Sequence, residues 1–224
     1  MLLNSFVGGE DSLFVDECVG GIDEAGRGAL LGPLVIAGVA IKKPRLDELK
    51  RIGVRDSKQL SPTRRERLYP IITSMADKVE VVEITPQEID SRSKHGYNLN
   101  QLELLKMAQI SLKLGVGEIF VDAVDVDERR FCVELTKRAP NTVFICEHEA
   151  DSKYTVTSAA SIVAKVTRDR RISELKKIYG EVGSGYPSDP RTISFVREYY
   201  VKTGAIPEFA RRTWKTLRRT LKEG

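Results

Sequence analysis

The sequence predicts an α/β domain, a mixed sheet with helices on its faces followed by a helical C-terminal part. Three observations carry this reading. Apolar, β-branched runs bounded by glycine come first, strand-like and helical patterns then alternate, and the chain beyond Pro187 shows helical patterning alone. At 224 residues, 41% hydrophobic and 30% charged, the chain is an ordinary globular sequence, long enough for one large domain with a substantial core.

Met1 to Asp16 is weakly patterned and reads as partly an extension. Val19–Asp23 and Leu34–Ile41 read as two strands of a hairpin. Ser61 is placed to cap a helix with Pro62 at its first position, after the polar loop Arg55-Asp56-Ser57-Lys58. Lys78–Thr85 is a third strand, stopped by Pro86. Asn98 with Gln101 three residues on resembles a capping box, and Leu102, Leu105, Ala108 and Leu112 recur at helical spacing up to Gly115 or Gly117. Glu118–Asp122 is a short strand, 127–139 a helix, Thr142–Cys146 another strand, and Thr155–Tyr179 a long helix. A turn at 183–187 precedes helices predicted over 192–203 and 208–222.

The chemistry concentrates at strand ends. Asp23 and Glu24 close the first strand, Asp122 closes another, and Asp151 lies just past a third. On a regular strand Asp23 and Glu24 point to opposite faces, so the pair is expected to reach one site only if the strand ends or distorts there. Ala25-Gly26-Arg27-Gly28 permits such an ending, since both glycines reach backbone angles closed to other residues. Carboxylates gathered at one sheet edge repel and call for a cation. Hard oxygen donors favour Mg²⁺ or Mn²⁺ over zinc, and two such ions are the usual device for in-line phosphodiester cleavage. An ordinary hairpin with solvated acids at its tip explains the same residues. His148 stands three residues before Asp151 and could shuttle a proton, though a solvated loop histidine accounts for it equally well.

Composition narrows the class. Cys18, Cys132 and Cys146 are odd in number and scattered, so neither a disulfide framework nor a zinc site is indicated. The longest apolar runs are too short to span a bilayer, so no membrane partner is expected. No basic segment followed by an apolar run opens the chain, and a cytoplasmic location is expected. The net charge of +4 lies entirely in residues 205–224, where six basic residues face two acids; elsewhere charges balance at 30 against 30. Arg211, Lys215, Arg218 and Lys222 fall on one stripe of the predicted last helix, beside an apolar stripe of Trp214, Leu217 and Leu221. A solvated face is the plain reading of such a run, and contact with a polyanion the functional one.

Gly21-Ile22-Asp23-Glu24-Ala25-Gly26-Arg27-Gly28, followed by Gly32-Pro33-Leu34-Val35, resembles the opening motif of the type 2 ribonucleases H, specifically the ribonuclease HII family. The likeness continues through Asp56-Ser57-Lys58, Val121-Asp122, Ala150-Asp151-Ser152-Lys153-Tyr154, Ser158 to Lys165 and Gly183-Ser184-Gly185-Tyr186. It covers about 17–215 and looks most like the archaeal branch, with Ala29 where many relatives carry proline. The resemblance implies a ribonuclease H-like mixed sheet flanked by helices, a catalytic domain over 17–180 and a helical substrate-binding extension over 181–224. It implies that Asp23, Glu24, Asp122 and Asp151 bind two Mg²⁺ or Mn²⁺ ions. It further implies that Gly26-Arg27-Gly28 reads the ribonucleotide 2′-hydroxyl largely through backbone groups, that Tyr186 packs on the sugar at an RNA-to-DNA junction, and that Lys58 contacts phosphate. The implied activity is hydrolysis of the RNA strand of RNA–DNA hybrids and cleavage 5′ to ribonucleotides embedded in duplex DNA, serving primer removal and ribonucleotide excision. A monomer is expected, with a sliding clamp as a candidate partner. A catalytic subunit that needs partner chains, a DNA-directed nuclease of the same superfamily and a non-catalytic hybrid-binding protein are the alternatives. The Gly-Arg-Gly loop argues against the second and the four acids against the third.

Overall fold

The computed structural model describes residues 17–55 and 59–222, apart from the side chain of Lys222. Five strands form one sheet: β1 (Cys18–Ala25), β2 (Leu34–Lys42), β3 (Lys78–Ile84), β4 (Glu118–Asp122) and β5 (Val143–Glu147). Their order across the sheet is β3-β2-β1-β4-β5. β1, β2 and β3 pair antiparallel, while β1, β4 and β5 run parallel. The three parallel strands therefore deliver their C-terminal ends to one edge, where ligand sites of such sheets collect.

The helices are α1 (Leu46–Arg51), α2 (Pro62–Met75), α3 (Pro86–Ser91), α4 (Leu99–Leu114), α5 (Glu128–Arg138), α6 (Ala150–Lys153), α7 (Thr155–Tyr179), α8 (Pro190–Thr203) and α9 (Lys215–Lys222). Local rules placed most of them. Ser61 Oγ accepts from the Arg64 amide, and Pro62 opens α2. Asn98 and Gln101 complete a reciprocal capping box, and Gly115 ends α4 at a φ of 65°. Asp127 caps α5 through the Arg130 amide. Pro86 does more than stop β3: Thr85 accepts from the Glu88 amide, so the proline opens α3.

One sheet face packs on α4 and α5, with Ile22, Ile36, Ile119 and Val121 meeting Met107, Ile110 and Phe131. The other packs on α2 and α7, with Val35, Val39 and Ile41 meeting Leu68, Ile72 and Val163. α7 lies so close to β1 that a Cβ on Gly21 would run into the backbone of Val156 and Thr157. Cys18 and Cys146 are buried core residues, as expected. The expected face of α4 is borne out at Leu102 and Ala108, which are buried, and fails at Leu112, which is 62% exposed, while Glu103, Leu104 and Met107 widen the buried side. Two sheet-facing ridges and the contact with α5 decide that face, and leucine spacing alone does not contain them. Among the described residues no helix is long and apolar enough to cross a membrane.

A third cluster fastens the C-terminal segment to the rest. Leu30 and Leu31, in the loop after β1, pack with Ile172, Val182, Val196, Ala210 and Leu217. The expected helix over 208–222 is shorter than predicted, because α9 begins at Lys215. Residues 208–214 are turns held by distant partners instead. Gly32 donates to the Phe209 carbonyl and Arg211 to that of Leu30, while the Asp90 carboxylate accepts from the amides of Arg212 and Thr213. Leu217 is buried and Leu221 half-buried, so the apolar stripe docks as expected.

Candidate active site

Asp23 and Glu24 reach the acid edge from opposite faces of an intact strand. β1 keeps its pairing through Asp23 opposite Ala37, Glu24 opposite Ile36 and Ala25 opposite Val35. The expectation that the strand must end or distort at the two acids is therefore corrected. Asp23 lies on the α7 face, hydrogen-bonded to Ser161, and Glu24 on the α4 face, near Glu103. Both feel the charge of Asp122, so β4, the parallel neighbour of β1, bridges the two.

Asp151 arrives differently. Glu149, the only non-glycine residue with positive φ among those described (57°), turns the chain after β5 into α6. The Ala150 amide donates to Asp122 Oδ1 at 3.1 Å, which ties α6 to the end of β4. Asp151 is buried, with Lys165 Nζ 3.9 Å from its Oδ2. His148 is half-exposed, its Nδ1 3.1 Å from the Ala123 carbonyl oxygen and its Nε2 3.7 Å from Glu128. That is the solvated-loop arrangement.

The electrostatics of the edge are those of crowded carboxylates. Burial, and next the charge of Asp122, push the Asp23 carboxyl up to about 7, against the pull of Ser161 and Lys165. Burial, then Asp23 and Glu103, hold Glu24 well above the usual carboxylate range. Among the described residues no three acid, histidine or cysteine side chains close into an ion cage. A divalent cation fits what is present: hard oxygen donors, little solvent, and Glu24 Oε2 buried with no hydrogen-bond partner.

Beside the acids runs the Gly26–Gly32 loop, which makes a tight turn with Gly26 at a φ of 88°. A Cβ on Gly26 would strike Arg168 and the Pro33 carbonyl, whereas one on Gly28 would meet nothing within 4 Å. Arg211 supports the loop from beneath. It is fully buried and donates to the carbonyls of Arg27 (2.9 Å) and Gly32 (3.2 and 3.3 Å), with its guanidinium 5.2 Å from the Trp214 ring. Arg168, 3% exposed, lies over the Tyr186 ring at 4.3 Å and donates to the Ser184 carbonyl. Burial and the neighbouring Arg168 push Arg211 down to about 10, so it remains charged at neutral pH.

The sequence model of the family described as Ribonuclease HII matches residues 20–217. The ribonuclease HII of Pyrococcus furiosus is 48% identical over 204 residues, 90% of each chain. The crystal structure of the ribonuclease H2 from Pyrococcus horikoshii superposes with a TM-score of 0.85 at 44% identity, covering 92% of this chain and 98% of that one. The complex of PCNA with the ribonuclease HII of Archaeoglobus fulgidus gives a TM-score of 0.83 at 40% identity, covering 90% and 96%.

The chain belongs to the ribonuclease HII family. It is accordingly an endoribonuclease of the ribonuclease H type, a phosphodiester hydrolase. The structure brings Asp23, Glu24, Asp122, Asp151, the 26–28 loop and Tyr186 into one neighbourhood, with Tyr186 reached through Arg168. Lys58 lies outside the described residues. The basic stripe is not one face. Arg211 is a buried clamp and leaves it, because the segment ahead of α9 bonds to Leu30 instead of continuing the helix. Lys215 and Arg218 are exposed on α9 as expected.

Four further residues belong to this neighbourhood: sequence reasoning gives no role to Glu103, Ser161 or Arg168, and explains Lys165, the end of the matched run from Ser158, by solvent exposure alone. A helical-face signal existed for the last three, since Ser161, Lys165, Arg168 and Ile172 stand at i, i+4, i+7 and i+11 on α7. The same spacing puts Glu103 in line with Met107, Ile110 and Leu114 on the buried side of α4.

Proposed function

We propose that the chain hydrolyses the RNA strand of RNA–DNA hybrids and cuts 5′ to ribonucleotides embedded in duplex DNA, leaving 5′-phosphate and 3′-hydroxyl ends. The meeting of four carboxylates at one sheet edge, beside a glycine loop whose backbone is pinned from beneath, carries this reading. Asp23, Glu24, Asp122 and Asp151 would hold two divalent ions, Mg²⁺ or Mn²⁺, which supply charge stabilisation at the phosphate and activate the attacking water. The chain's own groups do the rest. The backbone of Gly26-Arg27-Gly28 approaches the sugar, where a 2′-hydroxyl separates RNA from DNA. Tyr186, stacked on Arg168, offers its ring to the neighbouring sugar.

Residues 17–180 carry the chemistry in this reading, and 181–224 extend the duplex-binding surface. Lys58, Lys215, Arg218 and Lys222 contact phosphate, which positions the duplex without reading it. Primer removal and ribonucleotide excision in the cytoplasm follow as roles of a monomer. The clamp-bound relative from Archaeoglobus fulgidus supports a sliding clamp as partner. Three reactions test the activity: a DNA duplex with one embedded ribonucleotide, an all-DNA duplex, and the first duplex in EDTA. Cleavage of the first alone is expected. Cleavage of both duplexes overturns the assignment, and no cleavage by the purified chain favours a subunit that needs partner chains.

A further inference from the structure

Arg27 carries the only side chain of the 26–28 loop, and that side chain is spent on the protein. Its Nε lies 3.1 Å from both carboxylate oxygens of Glu103, and its Nη2 donates to Asn100 Oδ1 at 2.5 Å. Asn100 donates in turn to Asp125, which Arg130 grips at 2.7 and 2.8 Å. At the other end of the residue, the Arg27 carbonyl accepts from Arg211. Arg27 is thus fixed by its side chain from α4 and by its backbone from the segment before α9.

We infer that Glu103 is a positioning residue for sugar recognition, acting through Arg27 to set the height of the 26–28 backbone above the acid edge. The inference rests on the proposed function, in which this loop senses the sugar. Stability alone is a poor reason for Glu103. It is fully buried on the apolar side of α4 and adds like charge near Glu24. A well-packed apolar side chain generally serves such a site as well as a buried ion pair does. What the pair adds is geometry: a planar guanidinium locked by two carboxylate oxygens and an amide holds one orientation. Recognition through backbone atoms demands that precision, because a loop displaced by about 1 Å no longer places its donors.

The test is equilibrium binding at fixed salt in Ca²⁺, with duplexes recovered uncut, scored as the affinity ratio between a duplex with one ribonucleotide and an all-DNA duplex. The variants are Glu103→Gln, Gly28→Ala and the paired replacement Arg27→Met with Glu103→Leu. The pair should melt cooperatively and lose about tenfold in the ratio, the size expected for charge-assisted bonds. Glu103→Gln should retain most of the ratio, since Oε1 still accepts from Arg27. A folded paired variant with an unchanged ratio overturns the inference. If the pair does not fold, Arg27→Lys, which keeps charge but loses the fork, serves in its place, and an unchanged ratio there overturns it equally. Gly28→Ala separates the two readings, because its Cβ has open space in the protein. A ratio lost in Gly28→Ala but kept in the pair sinks only the positioning role. No preference in the wild type, or none lost in Gly28→Ala, sinks the loop reading itself.

Discussion

Asp23 and Glu24 at the end of β1, and Arg168 and Arg211 beneath the loop that follows, are ionisable groups withdrawn from water around the same sheet end. Their environments differ. Arg211 donates to the carbonyls of Arg27 and Gly32 beside the Trp214 ring, and Arg168 to the Ser184 carbonyl beside the Tyr186 ring with Asp169 3.9 Å away, so although Arg168 Nε has no hydrogen-bond partner each positive charge is answered internally. The acids have chiefly one another, with Lys165 and Ser161 as partial relief, and Glu24 Oε2 has no partner at all. A buried charge answered internally is framework. A buried cluster of one sign left short of countercharge is where an external ion enters.

The acid half should break hardest. Asp122→Asn keeps the oxygen that accepts from the Ala150 amide, yet activity should fall about 10³-fold or more, since several kcal/mol of charge stabilisation are lost. Its melting temperature in EDTA should equal or exceed that of the wild type, because repulsion is relieved. Turnover near the wild-type rate would remove Asp122 from the ligand set.

Arg211→Met should show the opposite profile. Two loop carbonyls lose their donor, so the fold should weaken by about 2–4 kcal/mol in denaturant titration, while the salt dependence of duplex binding stays put. A changed salt slope with unchanged stability would return Arg211 to the phosphate-binding stripe.

The pH response sharpens the contrast further. Folding raises the Asp23 and Glu103 carboxyls to about 7 from ordinary values of 3.8 and 4.5. The folded state therefore favours their protonated forms, and that stabilisation, complete below pH 4, is lost as pH rises through 7. In EDTA the melting temperature should drop by several degrees between pH 5 and 8, at about 2–4 °C per kcal/mol for a chain of this size. Mg²⁺ should flatten the drop, since an ion holds the carboxylates charged. A melting temperature that rises over this range in EDTA would contradict the assigned direction.

The smallest effect belongs to the exposed cations. Changing Lys215 and Arg218 to Gln should weaken binding to every duplex alike and lower the slope of log affinity against log salt by about one unit for each phosphate no longer neutralised. The cleaved bond should not move. An unchanged slope would make α9 a solvated face.

What the sequence alone determined is what neighbours in the chain decide. The cap at Ser61, the box at Asn98, the strand Glu118–Asp122 and the helix Thr155–Tyr179 all follow from side chains within a few residues of the backbone they satisfy. The four acids were legible too, through strand-end position and family motif. The burial of Arg211, the Glu103–Arg27 lock, the exposed Leu112 and the late start of α9 were not. Each depends on a partner far along the chain: Arg211 on carbonyls 179 and 184 residues away, Glu103 on a guanidinium 76 residues away. A basic residue at helical spacing carries the same letters whether it faces solvent or a loop carbonyl. Only the packing of residues 206–217 against Leu30 and Leu31 decided between them, by burying Arg211 where those carbonyls were the acceptors within reach.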